Sequence, residues 1–285
     1  MIAGGVPAGP AAGMTASGSG TVAGGEGISR LAVQGLTVRR GGRTILDAMG
    51  CEFRSGELTA ICGPNGAGKS TLLAVLAGSL APGGGQVRLD GRPLGQWPAL
   101  ALARRRAVLV QQAVLQFPFL VAEVVALGRS PHHGRSGVAD DERIVGEAMR
   151  LVGIEDLAER DYLALSGGER QRVHIARGLA QVWEAPVDGA RWFLLDEPTA
   201  SLDLRHQIGL MKTLRRLARE GWGVVAVLHD LHLVARWADR CLLVSEGRLV
   251  ADGPPAAVLT PERIGEVYQL EPEDRPAFAA GTIAG

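Results

Sequence analysis

Apolar and polar positions alternate with two different periods along this chain, and the switches between them predict its elements. Residues 31–38 and 45–53 are strand-like runs around a Gly41-Gly42 turn, and residues 58–62 form a short buried strand. From residue 69 the period lengthens: Leu72, Leu73, Leu76 and Leu80 share one helical face over 69–80. A strand at 87–89 runs into an Asp90-Gly91 turn, and 107–110 is another strand. Helical spacing then dominates to about residue 180. Short apolar strands return at 192–195, 224–228 and 241–244, each with a helix. Alternation of this kind predicts an α/β fold, with a mixed-sheet core and a helical subdomain inserted at about 112–180. No internal repeat interrupts it.

Both ends depart from the pattern. Residues 1–28 are rich in Gly and Ala and lack apolar periodicity, a basic start and a long apolar stretch. They read as a flexible N-terminal extension rather than a signal peptide. Residues 271–285 read as a flexible tail, which leaves 29–270 as the folded domain.

Composition narrows the class. The 285 residues are 46% hydrophobic, enough for a sizeable core. Formal net charge is zero, which argues against a nucleic-acid or anionic-membrane surface. The Arg104-Arg105-Arg106 run is read as a solvated helix face after Pro98. Cys51, Cys62 and Cys241 match no zinc or disulfide spacing and read as reduced thiols. No apolar run approaches the ~18 residues that span a bilayer. If the protein serves transport, the pore belongs to another chain. Arginine supplies nearly all the basic residues, with lysine only at Lys69 and Lys212.

Lys69 falls within Gly63-Pro64-Asn65-Gly66-Ala67-Gly68-Lys69-Ser70-Thr71, which fits the phosphate-loop pattern between a buried strand and a helix. Glycines let backbone N–H groups face a phosphate, and the helix N-terminus adds partial positive charge. Lys69 would reach the β- and γ-phosphates of a nucleoside triphosphate, and Ser70 would ligate Mg²⁺. A second chemical element is the strand Trp192-Phe193-Leu194-Leu195, which ends in Asp196-Glu197. Adjacent strand residues point opposite ways, so the two acids can serve two tasks. The segment resembles a Walker B strand followed by a catalytic glutamate, which implies Asp196 toward Mg²⁺ and Glu197 toward an attacking water as general base. Taken alone, the pair is equally a strand end entering a solvated turn.

Leu165-Ser166-Gly167-Gly168-Glu169-Arg170-Gln171-Arg172 admits two readings. Ser166 and Glu169 form a capping box for a helix continued by Val173, Ile175, Ala176, Leu179 and Ala180. That cap does not account for Gly167-Gly168, since a glycine in a helix costs ~1 kcal/mol relative to alanine. Bare N–H groups at a helix start suit an approaching anion.

Together these motifs, in this order, resemble the ABC ATPases over residues 31–268. The resemblance implies a P-loop NTPase with a RecA-like mixed-sheet core, an antiparallel β subdomain and the inserted helical subdomain. It makes the 165–172 octapeptide the signature that closes over ATP held by a second copy. Gln111 matches the Q-loop glutamine, a contact for Mg²⁺ or water, with Gln112 its neighbouring rival. His229 matches the switch histidine and Asp203 the D-loop acid of Ala200-Ser201-Leu202-Asp203. Arg40 stands where an adenine-stacking aromatic is usual. His132, His133, His174, His206 and His232 have no such support and read as structural or surface.

One set of motifs implies a head-to-tail homodimer. Each site would use Lys69, Asp196, Glu197 and His229 of one chain with Ser166 and Gly168 of the other. Residues 116–132 and 203–207 resemble importers of iron-siderophores, vitamin B12 and haem, and the 181–191 spacer points to the haemin branch. Implied partners are two transmembrane permease subunits and, indirectly, a periplasmic or extracellular binding protein, with no nucleic acid. The implied location is peripheral, on the cytoplasmic face of the bacterial inner membrane. Phe117 and Phe119 are read as either a groove for the permease or subdomain core. The competing functions are a soluble ABC ATPase acting on nucleic acid or translation, and an exporter.

Overall fold

The computed structural model describes residues 27–110 and 117–275. Strands β1 (Arg30–Arg40) and β2 (Arg43–Arg54) form the expected hairpin, and β3 (Leu58–Cys62) leads into helix α1 (Lys69–Leu76). Then come β4 (Gly84–Leu89), the two-residue β5 (Arg92–Pro93), the short helix α2 (Ala99–Ala103) and β6 (Arg106–Leu109). Helices α3 (Val121–Ala126), α4 (Val138–Val152) and α5 (Gly167–Gln181) follow. The chain returns to the sheet as β7 (Trp192–Asp196), α6 (Leu204–Arg219), β8 (Gly223–Val227), α7 (Leu231–Trp237) and β9 (Arg240–Ser245). It ends with β10 (Arg248–Gly253), α8 (Pro255–Val258) and α9 (Pro261–Tyr268).

These strands make two sheets among the described residues. One is antiparallel, in the order β2-β1-β4-β5. The other runs β10-β9-β3-β8-β7-β6, parallel except for the β10–β9 edge. Strands β3, β7 and β8 are buried at every position, as central parallel strands covered on both faces must be. Their side chains divide by parity. Ala60, Cys62, Phe193 and Leu195 face a core shared with α3–α6, while Ile61, Trp192 and Leu194 face α1 and the antiparallel sheet. The mixed-sheet core is therefore clamped between the helical insertion and the β-hairpin layer. Among the described residues no helix is long and apolar enough to cross a membrane.

Three local expectations change. Helix α1 stops at Leu76, and Gly78 adopts a left-handed φ of 65°, so Leu80 falls outside the helix and is 38% exposed. The arginine run does not form one solvated face. Arg104 donates from Nε to the Pro131 carbonyl, Arg105 pairs with Asp188, and Arg106 lies in β6 with Nη1 on the Leu76 carbonyl. Burial pushes Arg106 down to about 10. Phe117 and Phe119 separate: Phe117 is exposed, while Phe119 packs on the main core. Cys62 and Cys241 are buried on neighbouring strands, with their sulfurs 2.9 Å apart.

Candidate functional site

The glycine-rich loop joins the C-terminal end of β3 to α1. A Cβ on Gly63 would stand 1.9 Å from the Val244 carbonyl oxygen, and its φ is 146°. Only glycine lets the loop lie against β9 in that conformation. The loop is further tied by Gly247 N–H donating to the Ala67 carbonyl at 3.1 Å. Lys69, the first residue of α1, is buried. Its Nζ donates to the Gly63 and Pro64 carbonyls, each at 2.8 Å. Burial lowers its pKa, opposed by the charges of Glu197 and Asp196 nearby.

Across the loop stands the end of β7. Ser70 Oγ donates to Asp196 Oδ1 at 3.1 Å, which brings the two expected Mg²⁺ ligands together from motifs 126 positions apart. Asp196 is only 8% exposed, and burial raises its pKa despite that hydrogen bond. The pair offers two hard oxygen donors side by side, the donor type that Mg²⁺ takes. Glu197 then turns the chain away from the sheet with a φ of 48°. A non-glycine residue held there costs ~1–3 kcal/mol, and such strain persists only where surrounding contacts enforce it. His229, just beyond β8, sits 2.6 Å from Glu197 Oε1 through Nε2. Glu197, Thr199, Ala200, Gln207, His229 and Asp230 line a cavity of about 190 Å³.

The 197–203 segment is held by side chains that sequence spacing did not single out. Gln171 of α5 donates from Nε2 to the Pro198 carbonyl at 3.2 Å. Gln207 of α6 donates to the Thr199 and Leu202 carbonyls at 3.2 and 3.0 Å. Asp203 caps α6, accepting from the backbone N–H of His206 at 2.9 Å, which lowers its pKa. The Gln171–Pro198 contact joins positions 27 apart, so no local pattern announces it.

The start of α5 is a capping box in this structure. Ser166 Oγ accepts from the Glu169 N–H at 3.3 Å, and Glu169 accepts from the Ser166 N–H at 2.8 Å. The two glycines have different surroundings. A Cβ on Gly168 would lie 3.0 Å from the Ser201 carbonyl oxygen, whereas on Gly167 it would make ordinary contact, 3.8 Å from Ser201 Cβ. Packing within the chain therefore accounts for part of the need for Gly168 and none of the need for Gly167.

The remaining candidates are dispersed. Arg40 is exposed at the tip of the first hairpin, opposite Arg43. Gln111 and Gln112 lie outside the described residues, as do most of the N-terminal extension and residues 276–285 of the tail. His132 bonds the Gln181 carbonyl at 2.8 Å, and His174 meets the Tyr162 hydroxyl at 2.7 Å, both in structural settings. A larger cavity of about 470 Å³ lies between α4, α5 and α6, away from the glycine-rich loop. Cavity size thus does not locate the chemistry here.

A glycine-rich strand-to-helix loop, an adjacent serine–aspartate pair and a glutamate–histidine pair on a mixed parallel sheet are the arrangement expected of an ATP-hydrolysing cassette. The family model for the ABC transporter matches residues 46–200, and the chain belongs to that family. Among curated relatives it is 48% identical over 250 residues to the Hemin import ATP-binding protein HmuV of Plesiomonas shigelloides, covering 84% of this chain and 94% of that one. It is 50% identical to the protein of the same name from Gloeobacter violaceus, covering 85% and 88%. Among solved structures it superposes with a TM-score of 0.67 and 29% identity on CbiO1 of Clostridium perfringens, part of the ABC transporter complex CbiONQ. That match covers 84% of this chain and 94% of CbiO1.

Proposed function

We propose that this chain is the ATP-hydrolysing subunit of a haemin importer, working as a head-to-tail homodimer on a separate pair of permease subunits. The observation that carries the catalytic part is the pairing of Ser70 with Asp196 at 3.1 Å and of Glu197 with His229 at 2.6 Å beside one phosphate loop. The haemin assignment rests on the relatives named HmuV, at 48–50% identity over most of both chains.

In this reading the N–H groups of Gly63, Pro64 is excepted for want of one, and residues 65–71 cradle the ATP phosphates, with Lys69 turned toward the β- and γ-phosphates. Ser70 and Asp196 hold Mg²⁺, with Gln111 as a third contact. The ion, when bound, neutralises charge developing on the phosphates. Glu197 accepts a proton from the attacking water, and His229 fixes the carboxylate and the γ-phosphate end. Arg40 stands at the position from which a stacking residue would meet the adenine. Ser166, Gly167 and Gly168 of the second copy close over the γ-phosphate, with Asp203 at the junction. ATP favours the closed dimer and hydrolysis releases it, a population shift set by differential affinity. The protein is then a peripheral subunit on the cytoplasmic face of the membrane, and haem contacts the permease and binding protein rather than this chain.

Reconstitution with the cognate permease in liposomes tests the assignment. ATP turnover should rise most with a haem-loaded binding protein. Stimulation confined to siderophore- or cobalamin-loaded protein would replace the substrate. Copurification with ribosomes or DNA and no permease would overturn the transport reading.

A further inference from the structure

We propose that Gln171 is a positioning residue for Glu197, holding the catalytic turn from the helix that begins at Ser166. This inference rests on the reading of Glu197 as the general base. Four observations carry it. Glu197 occupies a left-handed backbone conformation, φ 48°, that its side chain does not favour. The next residue, Pro198, is buried, so its carbonyl needs a partner within the protein. That partner is the side-chain amide of Gln171, 3.2 Å away, from an element separated by 27 positions. One turn earlier on the same helix, Gly168 packs so closely on Ser201 that a Cβ would come within 3.0 Å of its carbonyl oxygen.

The start of α5 and the 198–201 segment therefore meet at two points, one polar and one steric. Gln207 holds the same segment from α6, through Thr199 and Leu202. Gln171 differs in acting on the residue next to Glu197 and in belonging to the helix whose first turn carries Ser166. A displacement of that turn is passed to Glu197 through one peptide unit. Closure over a nucleotide and alignment of the base are thereby linked within a single chain. Gln171 touches neither nucleotide nor water in this scheme; it acts through the Pro198 carbonyl.

The test compares Gln171→Leu, which removes the donor at similar size, with Gln171→Lys, which restores one. Each is made in the wild-type chain and in Glu197→Gln, with kcat, KM for ATP and thermal melting measured on full-length protein. Gln171→Leu should lower kcat about tenfold, the scale of one buried hydrogen bond, with KM within about twofold. Gln171→Lys should recover most of the loss. In the Glu197→Gln background, Gln171→Leu should have no further effect on residual turnover. Should the leucine variant not fold, Gln171→Glu, which lacks the donor at neutral pH, takes its place with the same outcomes. A wild-type kcat in Gln171→Leu, or an equal loss in both backgrounds, would overturn the inference while leaving Glu197 as the base. Wild-type turnover in Glu197→Gln would overturn both.

Discussion

Replacing Glu197 by glutamine separates chemistry from binding at this site. The substitution keeps length and shape, and an amide oxygen in place of Oε1 still accepts from His229 Nε2, now 2.6 Å away, when that nitrogen carries the proton. The turn around Pro198 is held by Gln171 and Gln207, which the substitution leaves in place, so its backbone should persist. The stability change should stay within about 1 kcal/mol, the scale of one net hydrogen bond. Lys69 loses one negative neighbour but keeps Asp196, and the Gly63 and Pro64 carbonyls still hold its ammonium. ATP affinity should therefore change little. On the proposed role of Glu197, proton acceptance from water should be lost, typically ~10²–10⁴ in rate, or about 2.7–5.4 kcal/mol of barrier at 1.36 kcal/mol per tenfold. Phosphate release under saturating ATP measures turnover, and equilibrium binding of a fluorescent ATP analogue measures affinity. A variant that hydrolyses within about threefold of wild type would refute Glu197 as the base.

Three further outcomes follow from the same geometry. Ser166→Arg places a long cation at the start of α5 and should block ATP-driven dimerisation in gel filtration while monomers still bind ATP; unchanged dimerisation would count against the head-to-tail site. Gly63→Ala drives a Cβ to 1.9 Å from the Val244 carbonyl, so it should lower the melting temperature and abolish nucleotide binding, both readable in one thermal-shift series with and without ATP. Asp196→Asn should lose Mg²⁺-dependent hydrolysis yet melt higher than wild type at pH 7. Burial raises the folded pKa of Asp196 above its unfolded value of ~3.9, so its ionised form is disfavoured on folding. The asparagine's advantage should be complete above the folded pKa and close as pH falls to the unfolded one. Equal melting temperatures across pH 4–8 would contradict it.

Much of the fold was legible because parallel strands buried on both faces leave short apolar runs. Strands β3, β7 and β8 were expected within a residue or so of their observed bounds. Strand β10, half-exposed along its length, left no comparable signal and was missed. Leu80 continued the helical period, but the left-handed Gly78 ends the turn first. The arginine run departs from one solvated face because its partners are tertiary: Arg106 is a strand residue whose guanidinium reaches back to the end of α1. Phe117 and Phe119, two positions apart, were inseparable by pattern and are separated by packing.

The sequence by itself determined which chemical groups are present and how each is locally held. Loop glycines, a lysine at the head of a helix, and a capping serine and glutamate act within a few residues, so spacing alone encodes them. Tertiary structure decided which groups meet. Ser70 and Asp196, 126 positions apart, touch because β8 alone stands between β3 and β7 in the sheet, not because of anything near either residue. The same holds for His229 with Glu197 and for Gln171 with the Pro198 carbonyl. It also divided the two signature glycines, since the closeness of Ser201 to Gly168 arises only when α5 packs against the 198–201 turn. Local backbone preference is written in neighbouring residues, whereas adjacency across the sheet follows from burying both of its faces at once.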